Sequence, residues 1–165
     1  SGENVLGSRL LDIGAGIGVF GEEMAKYGWS VDGIELDDMM VQHLNNNTAI
    51  RAWNINLLTA HEISLGQFDL VTLNKVLEHV ANPLELLKRS AKYLNETGIL
   101  YMEVPSTDAI SEGPEREEFH IDHLHVFSVK SATELLSRAG LYCFNSGSII
   151  EPSGKYTIYC FARFA

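Results

Sequence analysis

Leu10-Leu11-Asp12-Ile13-Gly14-Ala15-Gly16-Ile17-Gly18 is the stretch on which the fold turns: an apolar run carrying one acid passes directly into three glycines at alternate positions. Arg9 to Ile13 reads as a strand. Val19 to Tyr27 reads as the helix that follows, with Phe20, Met24 and Ala25 at helical spacing and Gly28 as its stop. Glycines at a strand-to-helix turn let the backbone approach a ligand within contact distance. On glycines alone the ligand class stays open, because Gly16-Ile17-Gly18-Val19-Phe20-Gly21 also fits the dinucleotide spacing. Asp12 separates the readings. A carboxylate inside the strand repels a pyrophosphate and favours a ligand carrying an ammonium and a sulfonium.

Outward from this turn, short apolar runs alternate with amphipathic stretches, the pattern of βα units feeding a mostly parallel sheet. Ser30 to Ile34 is a second strand ending at Glu35, and Asp37 caps a helix that Asn45-Asn46-Asn47 closes. Ala49 to Trp53 and Phe68 to Leu73 read as the third and fourth strands. Pro83 opens a helix holding Leu84, Leu86, Leu87, Ala91 and Leu94. Gly98 introduces a fifth strand, Ile99 to Val104. Residues 106–118, rich in Ser, Glu, Gly and Pro, read as an exposed loop of the kind that forms lids. A helix over Ser131 to Ala139 precedes two closing strands, Leu141 to Ile150 and Tyr156 to Phe164. The Pro152-Ser153-Gly154 link is too short for a helical crossover, so the last strand must be antiparallel. The expected fold class is α/β: a Rossmann-like, seven-stranded, mostly parallel sheet with helices on both faces and an antiparallel C-terminal strand.

Bulk properties narrow the function. The 165 residues suit one domain spanning 1–165, and the 45% hydrophobic content suits a packed core. A net charge of −10 opposes an extended nucleic-acid backbone, so no nucleic-acid partner is expected and a neutral or cationic small molecule fits better. Cys143 and Cys160 lack metal-site spacing, which points to a reducing cytoplasm. No apolar run approaches the roughly 20 residues of a membrane span. Composition leaves the oligomeric state open.

Taken in order, the glycine segment, Gly33-Ile34-Glu35, Phe68-Asp69-Leu70-Val71 and Val76-Leu77-Glu78-His79-Val80 resemble the class I S-adenosylmethionine-dependent methyltransferases. The likeness covers residues 9–165. Asp122 to Ser128, a helix and Ala139-Gly140-Leu141 resemble the branch that modifies small metabolites. The resemblance implies S-adenosylmethionine as cofactor and a small-molecule methyl acceptor. It also implies that Asp12, the turn Gly14-Gly16-Gly18 and Asn74 hold the methionine end, Glu35 the ribose, and Leu36, Asn54 and Ile55 the adenine. At position 54 the chain departs from the family, which usually has an acid; an asparagine oxygen can still accept from the adenine amino group.

Among the histidines, His79 follows Glu78 on a short helix and suits a structural or a catalytic role equally. His123 and His125 share a face of an extended segment while His120 points away, so no metal is expected. One of His123 and His125 is the candidate base for an oxygen acceptor. His43 and His61 fall in surface segments without a role. Two other function classes remain: a core that binds the cofactor without transfer, and a nicotinamide-dependent oxidoreductase, against which Asp12 and the closing hairpin argue.

Overall fold

The computed structural model describes residues 7–61, 63–120 and 122–165. Strands β1 (Arg9–Ile13), β2 (Ser30–Glu35), β3 (Arg51–Asn54), β4 (Phe68–Asn74), β5 (Leu94–Pro105), β6 (Leu141–Ile150) and β7 (Tyr156–Phe164) form one sheet in the order β3-β2-β1-β4-β5-β7-β6. The first five pair in parallel, and β7 lies antiparallel to both β5 and β6. Six strands therefore run one way and the last the other, as the short link requires.

Local chemistry explains most element ends. Asp37 accepts the amides of Met39 and Met40 and starts α2 (Asp38–Asn47). Asn82 caps α3 (Pro83–Ala91), whose first turn holds Pro83 where no amide is needed. Gly28, at φ 94°, takes the left-handed turn after α1 (Val19–Lys26).

Elsewhere the boundaries move. β3 begins at Arg51 rather than Ala49 and extends to Asn54. Leu94 opens β5 instead of closing α3, pairing with Phe68 ahead of a register shift. α4 (Val129–Arg138) starts two positions before the expected Ser131, because Ser128 and Ser131 cap one another reciprocally. The 106–118 segment is not a featureless exposed loop. It holds two 3-10 turns, Thr107–Glu112 and Glu117–Phe119, and it buries Ala109 and Glu118. Glu118 accepts the Arg116 guanidinium at 3.0 Å and the Tyr156 amide at 2.6 Å, and Arg116 donates to the Gly154 carbonyl at 2.6 Å. These long-range bonds tie the segment to the β6–β7 hairpin.

The larger core, around Leu11, Phe68, Leu73, Leu100, Leu136 and Ile158, fills the face under α3 and α4. A smaller one, with Leu10, Val31, Leu44 and Ile50, lies on the opposite face where α1 and α2 pack on β2 and β3. No helix of the described residues is long and apolar enough to cross a membrane.

Candidate active site

The β1–α1 turn is built by three left-handed glycines, with φ 76°, 54° and 88° at Gly14, Gly16 and Gly18. A β-carbon on Gly14 would sit 2.5 Å from Val76 Cγ2, so this position is closed by packing as well as by backbone angle. At Gly16 the space is open. Its amide donates to Glu35 Oε2 at 2.9 Å, while Glu35 Oε1 accepts the Leu36 amide at 2.6 Å and the Asp37 amide at 3.3 Å. One carboxylate at the end of β2 thus fixes both the glycine turn and the entry to α2.

Over this turn opens a cavity of about 480 Å³ at the carboxyl ends of the strands. Gly14, Glu35, Leu36 and Ile55 line it, joined by Asn56 and Lys75. Its apolar wall and single carboxylate suit a flat heterocycle with a ribose. Gly16, Gly18, Asp12, Asn54 and Asn74 stand outside the lining. Asp12 is 2% exposed, accepts Thr72 Oγ1 at 2.6 Å and Asn74 Nδ2 at 3.4 Å, and burial pushes its pKa up to about 6. Its carboxylate ties β1 to the end of β4 beneath the turn. Asn54 donates to the Leu36 carbonyl at 2.9 Å and to Asp38 at 2.6 Å, bracing the cavity rim.

A second cavity, about 420 Å³, adjoins the first and shares Lys75 and His79 with it. Glu78, His123, Glu151 and Tyr156 also line it. Lys75 is the one non-glycine residue with positive φ, 58°, among the described residues. Such a conformation costs on the order of 1–3 kcal/mol and is held by its surroundings: the Lys75 amide donates to Glu103, and its ammonium pairs with Glu151 at 2.9 Å and bonds Thr157.

His79 and His123 face each other edge to plane, with centroids 4.9 Å apart. His79 Nδ1 meets the Asp122 carbonyl at 3.1 Å and His123 Nδ1 the Glu118 carbonyl at 3.0 Å. A carbonyl only accepts, so each Nδ1 carries the proton and each neutral ring keeps its lone pair on Nε2. His125, by contrast, sends Nε2 to the Val80 carbonyl at 3.0 Å and lines neither cavity. His120 pairs with Asp122 at the surface. Lys75 carried no sequence signal beyond its place after β4, and Glu78 was marked only as a member of the Val76 to Val80 motif. A larger depression of about 710 Å³, between residues 57–67 and α3, lies toward the amino end of β4 and lacks the glycine turn.

Comparison with known proteins agrees with this geometry. A family model described as a methyltransferase domain matches residues 1–145. The chain is 35% identical over 101 residues to the ubiquinone biosynthesis O-methyltransferase of Caulobacter vibrioides, covering 58% of this chain and 40% of that protein. It is 36% identical over 109 residues to the mitochondrial enzyme of the same name from Saccharomyces cerevisiae, covering 62% and 35%. The chain thus spans well under half the length of these curated relatives. In fold it is similar to the 1,6-didemethyltoxoflavin-N1-methyltransferase of Burkholderia thailandensis, solved with 1,6-didemethyltoxoflavin and S-adenosylhomocysteine (TM-score 0.76, 20% identity, 97% of this chain and 72% of that one). It is equally similar to the magnesium protoporphyrin IX methyltransferase of Synechocystis PCC 6803 with bound S-adenosylhomocysteine (TM-score 0.76, 17% identity, 98% and 76%). With a matched family model over most of its length and a glycine turn opening on a cofactor-sized cavity, the chain belongs to the class I S-adenosylmethionine-dependent methyltransferase family.

Proposed function

We propose that the chain is a single catalytic core, residues 1–165, that moves the methyl group of S-adenosylmethionine onto a small-molecule acceptor. The observation that carries this reading is the pair of adjoining cavities meeting at Lys75 and His79. Gly14, Glu35, Leu36 and Ile55 hold the cofactor in the first, and the acceptor enters the second. Asp12, Gly16, Gly18, Asn54 and Asn74 contribute by shaping the turn and rim, and Asp12 reaches the ligand only through the groups it braces.

When bound, the cofactor supplies an electrophilic methyl on a sulfonium, which the acceptor's lone pair attacks from behind as the carbon–sulfur bond breaks toward sulfur. Holding the two reactants in line is the larger part of the task, and oriented pairs reach effective molarities of about 10⁵–10⁸ M. For a hydroxyl acceptor, His123 Nε2 takes the proton. Of the two imidazoles expected for this role, it alone lines the acceptor cavity. Two free thiols, Cys143 and Cys160, fit a reducing cytoplasm.

The test is calorimetry with S-adenosylhomocysteine, followed by a labelled-methyl screen of metabolite extracts. Binding with transfer supports the reading. Binding without transfer to any extract makes the chain a cofactor-holding scaffold, and no binding at all removes the cofactor assignment.

A further inference from the structure

Five acids line the acceptor cavity; three pair with a lysine or arginine, and Asp122 and Glu78 have only a histidine beside them. Glu117 pairs with Lys155, Glu118 with Arg116, Asp122 with His120 and Glu151 with Lys75. Glu78 differs. Its side chain is 1% exposed and its Oε2 has no hydrogen-bond partner among the described residues. A buried carboxylate oxygen left unpaired is costly, and such groups persist where they have a task.

The surroundings define the task. The Glu78 carbonyl accepts the Leu124 amide at 2.7 Å and the His125 amide at 3.3 Å, which pins the irregular segment carrying His123 over the turn that carries His79. As a result, a Glu78 carboxylate oxygen and one ring nitrogen from each histidine lie within 4.8 Å of one another, with Glu78 Oε1 4.0 Å from His79 Nε2. Each histidine has its Nδ1 proton committed to a carbonyl, so both lone pairs are left on Nε2.

We propose that Glu78 is a positioning residue for methyl transfer, its carboxylate orienting the His79 and His123 rings and stabilising the imidazolium that forms when one of them takes the acceptor's proton. This rests on the second cavity being the acceptor site. The charge balance makes the residue necessary. The acceptor's lone pair forms the new bond to carbon, the carbon–sulfur electrons neutralise the sulfonium, and the acceptor's proton passes to Nε2. One positive charge therefore leaves sulfur and appears on an imidazole of the same cavity. Lys75, which lines the same cavity, disfavours a second cation there, and its own acid, Glu151, is already engaged. A fixed carboxylate beside the ring offsets that cost at no reorganisation. Burial raises the Glu78 pKa, offset in part by its own backbone amide and by the neighbouring His79, His123 and Lys75.

The experiment is NMR titration of the histidine rings in the full chain, comparing wild type with Glu78→Gln, which keeps the side-chain shape. The His79 and His123 protonation midpoints should fall by about one pH unit or more in Glu78→Gln, as expected when an adjacent opposite charge is lost. They should recover in part in Glu78→Asp, while S-adenosylhomocysteine affinity stays unchanged and the chain still unfolds in one cooperative transition. With an acceptor in hand, kcat should drop about 10- to 100-fold with KM for the cofactor unaltered. Unchanged ring midpoints in Glu78→Gln would overturn the proposal. So would wild-type ring signals that move on addition of Mg²⁺ or Zn²⁺ and return with a chelator, since the cluster would then be a cation site. The titrations need no acceptor, so they judge Glu78 even if labelled methyl is never transferred.

Discussion

Replacing Glu35 by Ala separates the two duties that one carboxylate performs. Toward the ligand, the change removes charge-assisted hydrogen bonds to the ribose hydroxyls, worth together about 1.5–3 kcal/mol. At about 1.4 kcal/mol per tenfold, that weakens S-adenosylhomocysteine by roughly 10- to 150-fold. Toward the protein, it leaves the Gly16, Leu36 and Asp37 amides without their acceptor. Two of those bonds are at the exposed rim, where water substitutes, so the stability loss should stay near 1 kcal/mol. Calorimetry with S-adenosylhomocysteine and urea unfolding read the two effects independently. An unchanged dissociation constant together with an intact transition would refute the placement of Glu35 against the ribose. A loss of stability well above the loss of affinity would mean that the carboxylate serves the turn and not the ligand.

Three further outcomes are expected. Gly14→Ala should destabilise by about 2–4 kcal/mol, combining left-handed strain with overpacking against Val76, and Val76→Ala in the same chain should restore the packing part in urea unfolding. Asp12 is raised from 3.8 to about 6, so the folded state binds its proton more tightly than the unfolded one. The Asp12 contribution to stability should be fullest below about pH 4 and be lost as pH rises through 6. Asp12→Asn should abolish that slope and stabilise the ligand-free protein at pH 7 by about 1–3 kcal/mol, as denaturation across pH will report. His123→Ala should lower turnover on a hydroxyl acceptor by about 10²- to 10⁴-fold with cofactor affinity unchanged, whereas His125→Ala should leave turnover near wild type; the reverse ranking in a labelled-methyl assay would move the base to His125.

What the sequence made legible was local. The strand-glycine-helix passage, the end of the second strand at Glu35, the Asp37 cap, Pro83 at a helix start and the short final link each act within a few residues, and all appear in the structure as read. Asn54 was harder: extending β3 to residue 54 turns its side chain to Leu36 and Asp38 at the rim, a matter of strand register. Residues 106–118 look like loop by composition, yet the Arg116–Glu118 pair acquires its meaning from Gly154 and Tyr156, some 38 positions away. Lys75 is silent for the same reason, and Glu78 was legible only as part of the Val76 to Val80 motif. The left-handed backbone of one and the orphaned oxygen of the other exist only once β5, the 117–125 segment and the closing hairpin converge.

The two cavities draw on different parts of the polypeptide. Apart from Lys75 and His79, the cavity proposed for the cofactor is lined from residues 13–58 with Val76, Val80 and Leu86, while the one proposed for the acceptor takes Glu78 and is completed from residues 105–120, 122–123 and 151–156. This division has an evolutionary consequence. Drift in the later segments can retune which molecule is methylated while the earlier ones keep the donor in place, so descendants of one such chain can diversify their chemistry without relearning how to hold the methyl group. Lys75 and His79, serving both sides, are the positions where that freedom should be narrowest.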